Sequence, residues 1–307
     1  MNEKRNEKKR WTEKDIGSQR DKNVVVTGTG GLGYEAAMSL AGAGARVILA
    51  GRNAEKGAKA VHGIKIKYPN AKIEYQRLDL ADLSSIEDFS KILLSKWDRL
   101  DVLINNAGVM ATPERLVTKD NFELQLGTNY LGPSALTARL LPLLRTARQA
   151  RVVTVSSMAH HSGKIHFEDL QLEPSYTPDV AYAQSKLACL MFALELHKRS
   201  ASAGWGIRSM AVHPGGVATD LMDNGPGKTF FTRLIYHTLQ TPSEGTRASL
   251  LAATSPDAKS GSFYGPTGLL EIWGEPKLTK PAAQAFDAQA SATLWDMSCD
   301  LVKLNFA

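Results

Sequence analysis

The chain has 307 residues, a formal net charge of +6 and 43% hydrophobic residues, which is enough to bury a large core in one domain. Only two cysteines occur, Cys189 and Cys299, so a disulfide framework and a cysteine-rich metal site are excluded. Charged residues or glycines interrupt every apolar run before the roughly 20 residues that a membrane span needs. We therefore expect no metal site, no membrane span and no nucleic-acid partner.

The first segment of the chain is basic and poor in apolar residues. Residues 1–22 contain eight Lys/Arg and five Asp/Glu, which is half of the net positive charge. This composition predicts a solvated, mobile tail. Nothing in it resembles the apolar core of a signal peptide, which predicts a cytoplasmic protein.

From residue 23 onward, short β-branched runs alternate with longer helical patterns. Helices are predicted over 33–43, 54–66, 84–97, 122–146 and 180–203, between the strand-like runs NVVVTG, ARVILAG, KIEYQRLDL, DVLINNAG, ARVVTVSS and IRSMAVHPG. The alternation predicts βαβ units, and hence a Rossmann-like, doubly wound parallel sheet in a three-layer αβα arrangement. Residues 23–307 are expected to form one domain.

The pattern loosens after Pro214. A short apolar helix is predicted near 229–240, another helix near 243–254, a strand at GSFYG and a final helix near 281–304. These elements lie too close to the sheet in sequence to indicate a second domain.

A glycine-rich stretch follows the first predicted strand. Gly28, Gly30 and Gly33 have the spacing G-x-G-x-x-G and open a predicted helix. In this context glycines let the backbone approach a dinucleotide pyrophosphate, which the helix N-terminus then binds. The alternative is a turn that merely joins a strand to a helix.

The end of the second predicted strand bears on cofactor choice. Arg52 follows Ala50 and Gly51, where an Asp or Glu would bind a ribose 2′-hydroxyl. A guanidinium can pair with a 2′-phosphate instead, which favours NADP(H) over NAD(H). The alternative is a surface arginine at the start of a helix.

Tyr182 and Lys186 are spaced i and i+4, on one face of a predicted helix. A neighbouring ammonium group favours the charged form of a phenol, which suits a tyrosine to proton transfer. Such a pair also occurs on ordinary exposed helix faces, so its meaning depends on the motifs around it.

Those motifs occur in a recognisable order, and together they cover most of the chain from residue 23. TGTGGLG, NNAG at 105–108, GTNYLG at 127–132, VSS at 155–157, YAQSK and HPGGVAT at 213–219 resemble the short-chain dehydrogenase/reductase family. SSMAHHSGKIHFEDL before AYAQSKLA is similar to the retinol dehydrogenase-like branch of that family. GSFYGP and LWDMS are similar to bacterial members of the branch.

The resemblance implies a catalytic set. Tyr182 is the general acid that protonates the carbonyl oxygen, and Lys186 supports it and binds ribose. Ser157, rather than Ser156, donates a hydrogen bond to the substrate oxygen. Asn129 holds a water in a proton relay.

The resemblance also implies cofactor contacts. Asp79 binds adenine, Asn106 and Gly108 line the adenosine ribose wall, and Thr219 with the Val217 backbone contacts the nicotinamide amide. The implied set is Gly28, Thr29, Gly31, Leu32, Gly33, Arg52, Asp79, Leu80, Asn106, Ala107, Gly108, Tyr182, Lys186, Pro214, Gly215, Val217 and Thr219.

Several of these polar residues have structural alternatives. Asn106 could chiefly tie strands together. His160, His161, His166 and His213 are interpreted as polar or packed residues rather than as metal ligands or bases.

The glycine loop departs from the family pattern T-G-x-x-x-G-x-G, because one residue is absent between Gly28 and Gly31. We interpret the loop as a shortened dinucleotide cradle, in which the G-x-G-x-x-G spelling is a by-product of the deletion.

The predicted function is that of an NADP(H)-dependent carbonyl reductase or secondary-alcohol dehydrogenase for hydrophobic aldehydes or ketones. The resemblance implies a substrate lid over about 217–241, in which Phe230 and Phe231 would contact the substrate, and is compatible with a homodimer or homotetramer. One alternative is an idle dinucleotide-binding module that serves as a redox sensor or scaffold. An epimerase or dehydratase is a third interpretation.

Overall fold

The chain folds around one mixed sheet. The computed structural model describes residues 11–217 and 239–306. Within these ranges the strand order is β3-β2-β1-β4-β5-β6-β7-β8, with β1 to β7 parallel and β8 antiparallel to β7. The strands are β1 Asn23–Thr27, β2 Arg46–Gly51, β3 Lys72–Arg77, β4 Val102–Asn105, β5 Arg151–Val155, β6 Arg208–Val212, β7 Phe263–Pro266 and β8 Pro276–Leu278.

Helices cover both faces of the sheet, as the sequence predicts. They are α1 Gly31–Gly42, α2 Ala54–Lys67, α3 Leu83–Lys96, α4 Leu124–Leu126, α5 Gly132–Arg139, α6 Leu141–Thr146, α7 Pro178–Ala203, α8 Pro242–Gly245, α9 Arg247–Thr254 and α10 Ala288–Val302. The predicted three-layer doubly wound fold is confirmed. None of the helices in the described ranges is long and apolar enough to cross a bilayer.

Strand side chains alternate between two cores. Val25 belongs to the core under α3, α5, α7 and α10, whereas Val24 and Val26 belong to the core under α1, α2 and α9. All three are completely buried. A strand buried on both faces needs apolar residues at successive positions, which explains the continuous valine run in the sequence.

The helix predicted near 122–146 is interrupted. A π-helical turn over Gly127–Leu131 separates α4 from α5, and the chain breaks again at Leu140 before α6. Pro142 lies in the first turn of α6, where its missing N–H and its ring prevent a continuous helix from α5. The final helix begins only at Ala288, because the Asp287 side chain accepts a hydrogen bond from the Ala290 N–H (2.9 Å) and caps the helix there.

Residues 11–22 lie against the domain, which differs from the prediction of a mobile tail up to residue 22. Trp11 and Ile16 pack on the core that contains Val24. Glu13 Oε1 lies 2.9 Å from Arg247 Nε. Two apolar side chains are enough to hold this short segment to the surface; residues 1–10 lie outside the described ranges.

Helix α7 is enclosed between the sheet and α10. Every residue from Ala183 to Leu196 is buried. Phe192 of α7 stacks on Trp295 of α10 with ring centroids 5.5 Å apart, and the Tyr130 and Ser298 hydroxyls lie 2.6 Å apart. The C-terminal helix therefore completes the packing of the helix that carries Tyr182 and Lys186.

This packing predicts that α10 contributes strongly to stability. Trp295 is 4% exposed and also contacts Phe306, so Trp295→Ala should lower the free energy of unfolding by about 3–5 kcal/mol. Phe286, which is 62% exposed just before α10, is the control, and Phe286→Ala should change it by less than about 0.5 kcal/mol. Urea unfolding measures both. Equal losses would contradict the role of α10.

Candidate active site

The predicted site residues converge at the carboxyl ends of the parallel strands. Strands β1 and β4 are neighbours at the centre of the sheet, where the strand order reverses, and ligands bind at this point in folds of this type. One cavity there is lined by the predicted residues Gly28, Gly31, Leu32, Asn106, Ala107, Gly108, Ser157, Tyr182, Lys186, Pro214, Gly215 and Val217. An adjoining cavity is lined by Thr29, Arg52, Asp79 and Leu80, together with Gly28, Ala107 and Gly108.

Three predicted residues are not in the described cavity walls. Gly33 lies behind the glycine loop and Asn129 lies behind Gly108. Thr219 lies outside the described residues, as do Phe230, Phe231 and nearly all of the predicted lid.

The glycine loop requires glycine at three positions. Gly28 and Gly31 have positive φ angles of 97° and 48°. A Cβ on Gly33 would lie 2.1 Å from the Gly28 carbonyl oxygen. Gly30, by contrast, has an extended φ of −128° and open space where its Cβ would be. Glycine is thus needed at positions 28, 31 and 33 but not at position 30. This is the pattern expected for a shortened T-G-x-x-x-G-x-G loop.

Thr27 joins this loop to the neighbouring strand. Its hydroxyl oxygen accepts hydrogen bonds from the backbone N–H groups of Asn106 and Ala107, both at 3.0 Å. The Asn106 side-chain amide donates to the Thr27 carbonyl oxygen at 2.8 Å. Asn106 therefore ties the ends of β1 and β4 together, which is the structural alternative that its sequence position allowed, and it also lines the cavity.

The second cavity has a positively charged rim. A side chain on Gly51 would collide with the Thr29 methyl group, which lies 2.7 Å from the Cβ position, so the end of β2 carries no carboxylate. Arg52 and Lys56 both line the cavity at the N-terminus of α2. The Asn53 side chain caps that helix by accepting from the Lys56 N–H at 2.9 Å. Two cations and a helix N-terminus together favour an anionic group.

Asp79 and Leu80, which the resemblance assigns to cofactor binding, line this cavity. Asp79 Oδ1 accepts a hydrogen bond from the Ala81 N–H at 3.0 Å, and the Asp79 N–H donates to Ser85 Oγ at 3.0 Å. The first bond thus holds the Asp79 carboxylate and the second holds its backbone at the cavity wall.

Asn129 is held in the π-helical turn, a distortion that is frequent at functional sites. Its Nδ2 donates to the Val109 carbonyl and to Ser185 Oγ, both at 2.9 Å, and its Oδ1 accepts from the Val109 N–H at 2.7 Å. Both amide protons are used in these bonds, so the side chain positions the backbone beside Gly108. Of this side chain, only the second lone pair of Oδ1 remains for a water of the implied relay.

Lys186 and Tyr182 point to the same cavity from α7. Lys186 is 5% exposed, and its Nζ donates to the Val155 carbonyl oxygen at 3.0 Å. The same Nζ lies 5.8 Å from the centroid of the Tyr182 ring. The end of β5 therefore holds the ammonium group beside the Tyr182 ring.

The two serines after β5 have different environments. Ser156 is 1% exposed and its hydroxyl donates to the Lys186 carbonyl oxygen at 2.7 Å, so it braces α7. Ser157 lines the cavity, and its Oγ accepts from the Ala159 N–H at 3.3 Å. Since Oγ acts as the acceptor in this bond, the Ser157 proton can be donated to a ligand. The geometry favours Ser157, as the resemblance implied.

The opposite wall depends on residues that sequence reasoning missed. Gln240 Nε2 donates to the carbonyl oxygens of Pro214 (2.8 Å) and Ile272 (3.0 Å). Ile272 also accepts from the Gly216 N–H at 2.9 Å. These bonds join segments that are distant in sequence, and no local sequence pattern predicts them.

Other missed residues line the cavities directly. Among them are Lys56 and Thr128 in the second cavity, and Met110, Met158, Gly216 and Leu239 in the first. Lys56 alone had a usable signal, because it lies four residues after Arg52 in the first turn of a predicted helix.

The loop geometry predicts unequal effects of alanine. Gly33→Ala places a methyl group against the Gly28 carbonyl, and should destabilise the free protein by about 1–3 kcal/mol and weaken NADPH binding. Gly30→Ala is the control and should alter the free energy of unfolding by less than about 0.5 kcal/mol. Denaturant unfolding of both variants is the measurement. A Gly33→Ala variant as stable as Gly30→Ala would contradict this description.

Comparisons with known proteins agree with this geometry. The short chain dehydrogenase family model matches residues 22–226. Human retinol dehydrogenase 11 is 39% identical over 286 residues, which are 92% of this chain and 86% of the relative. A crystal structure of an uncharacterized protein from Mycobacterium Paratuberculosis has a TM-score of 0.82 and 39% identity, and covers 97% of this chain and 100% of its own.

A short chain dehydrogenase from Shigella flexneri, complexed with NADP, has a TM-score of 0.64 and 25% identity, with 80% of this chain and 96% of its own covered. Family model, sequence identity and fold thus agree over most of the chain. This chain belongs to the short-chain dehydrogenase family of oxidoreductases, as a retinol dehydrogenase-like member.

Proposed function

We propose that this chain is an NADP(H)-dependent carbonyl reductase, and in reverse a secondary-alcohol dehydrogenase, for hydrophobic aldehydes or ketones. The observation that carries the proposal is that Ser157, Tyr182 and Lys186 line one cavity with the glycine loop. Their neighbours Ser156 and Asn129 are engaged in internal hydrogen bonds. We therefore assign the proton transfer and the binding of the substrate oxygen to Ser157, Tyr182 and Lys186.

The two adjoining cavities suit a dinucleotide. Gly28 and Gly33 leave no room for a Cβ, which keeps the loop backbone open to a pyrophosphate. Asp79 and Leu80 would hold the adenine, Lys186 the nicotinamide ribose, and Pro214 to Val217 the nicotinamide. When bound, the cofactor supplies or accepts the hydride.

The chain's own residues then manage the proton and the developing charge. Tyr182 would donate its phenolic proton to the substrate oxygen, and Ser157 would donate a hydrogen bond to the same atom. Lys186 uses one of its three N–H donors on the Val155 carbonyl, which leaves two for a ligand. In the reverse direction Tyr182 would accept the alcohol proton.

The substrate class is proposed from the apolar side of the cavity. Met110, Met158 and Leu239 line it beside Ser157 and Tyr182. Methionine side chains are flexible and polarisable, so they adapt to large apolar ligands of varied shape. A similar human protein is named for retinol, which is consistent with a bulky hydrophobic substrate.

The preference for NADP(H) is proposed from Arg52, Lys56 and Gly51. The two cations border the cavity at the end of β2, and the glycine there presents no carboxylate to repel a 2′-phosphate. An idle dinucleotide-binding module is less well supported, because it has no physical need for a lysine positioned on Val155 beside a tyrosine and a serine.

The first test removes the proposed proton donor. Tyr182→Phe keeps the ring but loses the hydroxyl, and should reduce kcat for carbonyl reduction by about 100-fold or more. NADPH oxidation is followed with aldehydes, aryl ketones, retinoids and steroids, and cofactor binding is followed by fluorescence. Near-normal turnover in this variant would overturn the assignment of Tyr182. Failure of the wild type to reduce any carbonyl in the panel would overturn the function.

The second test concerns the 2′-phosphate. Arg52→Asp should weaken NADPH binding by about 10- to 150-fold and leave NADH binding unchanged, because a charge-assisted bond is replaced by repulsion. Lys56→Gln should act in the same direction with a smaller effect.

Lys59 provides the matched control for this test. It lies on the same helix, paired with Glu55 at 2.7 Å. Lys59→Gln should leave both dissociation constants unchanged. A wild-type protein that binds NADH more tightly than NADPH would refute the preference.

A further inference from the structure

A buried histidine lies directly behind Ser157. His160 is completely buried in the short helical turn Met158–His161. Its Nδ1 lies 2.6 Å from the Ser157 carbonyl oxygen, and its backbone N–H donates to the same oxygen at 3.1 Å. One carbonyl group thus receives two hydrogen bonds from one residue.

The chemistry of this contact defines the state of the ring. A carbonyl oxygen can only accept, so Nδ1 must carry the proton. Burial lowers the pKa of His160 to about 4, which keeps the ring neutral near pH 7. Nε2 then carries no proton and presents a lone pair, and it has no hydrogen-bond partner among the described residues. Only the Nδ1 edge of the imidazole is used.

The ring itself is fixed by its neighbours. Phe263 contacts it edge to face, with centroids 5.0 Å apart and an interplanar angle of 79°. His161 packs on it with centroids 4.0 Å apart. The imidazole therefore forms a rigid support beneath the Ser157 peptide.

This support acts on the hydroxyl that faces the cavity. The bonds to the Ser157 carbonyl fix the peptide that follows this residue, and the Ala159 N–H holds its Oγ at 3.3 Å. A hydrogen-bond donor must be placed within a fraction of an ångström to act on a reacting oxygen. Rotation of this peptide would move the Ala159 N–H and so release its hold on the Ser157 hydroxyl oxygen.

We propose that His160 is a positioning residue for Ser157, and that its Nδ1–H bond to the Ser157 carbonyl directs the serine hydroxyl toward the substrate oxygen. The proposal rests on the proposed function, because it takes Ser157 as the group that binds that oxygen. The sequence alone indicates only that His160 is a polar or packed residue, whereas the proposal assigns it a specific role.

The two amides closest in shape to histidine test this bond. The side-chain nitrogen of asparagine can occupy the place of Nδ1, whereas that of glutamine reaches the place of Nε2. His160→Asn should keep kcat/KM within about twofold of the wild type, and His160→Gln should lower it about tenfold, the value of one hydrogen bond. NADPH binding should be unchanged in both, because Ser157 is assigned to the substrate oxygen.

Lys164, three residues after this turn, offers a control because its side chain is exposed. Lys164→Gln should leave kcat/KM and the melting temperature unchanged. Equal losses in His160→Asn and His160→Gln would overturn the proposal, since the loss would then reflect packing alone. If the Gln variant does not fold, a tenfold loss in the Asn variant would overturn it just as well.

A double-mutant cycle separates positioning from packing. If His160 acts through the Ser157 hydroxyl, then His160→Gln should cause no further loss of kcat/KM in a Ser157→Ala background. A tenfold loss that persists in that background would overturn the proposal. A Ser157→Ala variant with wild-type kcat/KM would instead refute the role of Ser157, so the two failures are distinguishable.

Discussion

The site depends on the enclosure of α7 between the sheet and α10. Because every residue from Ala183 to Leu196 is buried, the helix has no freedom to slide or rotate. The buried Lys186 ammonium is expensive unless it is paired, and the Val155 carbonyl at the end of β5 supplies the partner. Ser156 adds a second bond between the two elements, to the Lys186 carbonyl. Tyr182, one turn earlier, is thereby held at the edge of the sheet.

Much of the polar chemistry at this edge is structural. Asn106 ties β1 to β4, Asn129 holds the backbone at Val109, and Ser156 braces α7. Their hydrogen-bonding groups point into the protein. Ser157 and Tyr182 also line the cavity, and the Ser157 Oγ accepts, rather than donates, its hydrogen bond from the Ala159 N–H. A rigid polar scaffold around a few groups that remain available to a ligand is the arrangement that catalysis by preorganised donors requires.

Local sequence patterns predicted the strands and helices well, but they predicted the residues of the cavity walls poorly. The valine run of β1 and the i, i+4 spacing of Tyr182 and Lys186 are properties of short stretches, so they can be read directly. Gln240 and Ile272 act through contacts with Pro214 and Gly216, which are more than twenty residues away in sequence. Met110 and Met158 carry no periodic signal, because a methionine that lines a cavity looks the same in sequence as one in a core. The break of the 122–146 helix had a signal in Pro142, but the π-helical turn before it had none.

By itself, the sequence determined the alternation of strands and helices, the family motifs and the candidate reacting groups, because these depend on residue type and short-range spacing. Only the tertiary structure decided which of two adjacent serines donates its hydroxyl proton to the Lys186 carbonyl oxygen, and which glycine of the loop is sterically dispensable. It also decided that Lys56 joins Arg52 at the same rim and that His160 supports the Ser157 peptide. Each of these outcomes depends on the direction of a side chain relative to a distant element. Direction is set by packing, which local sequence does not encode.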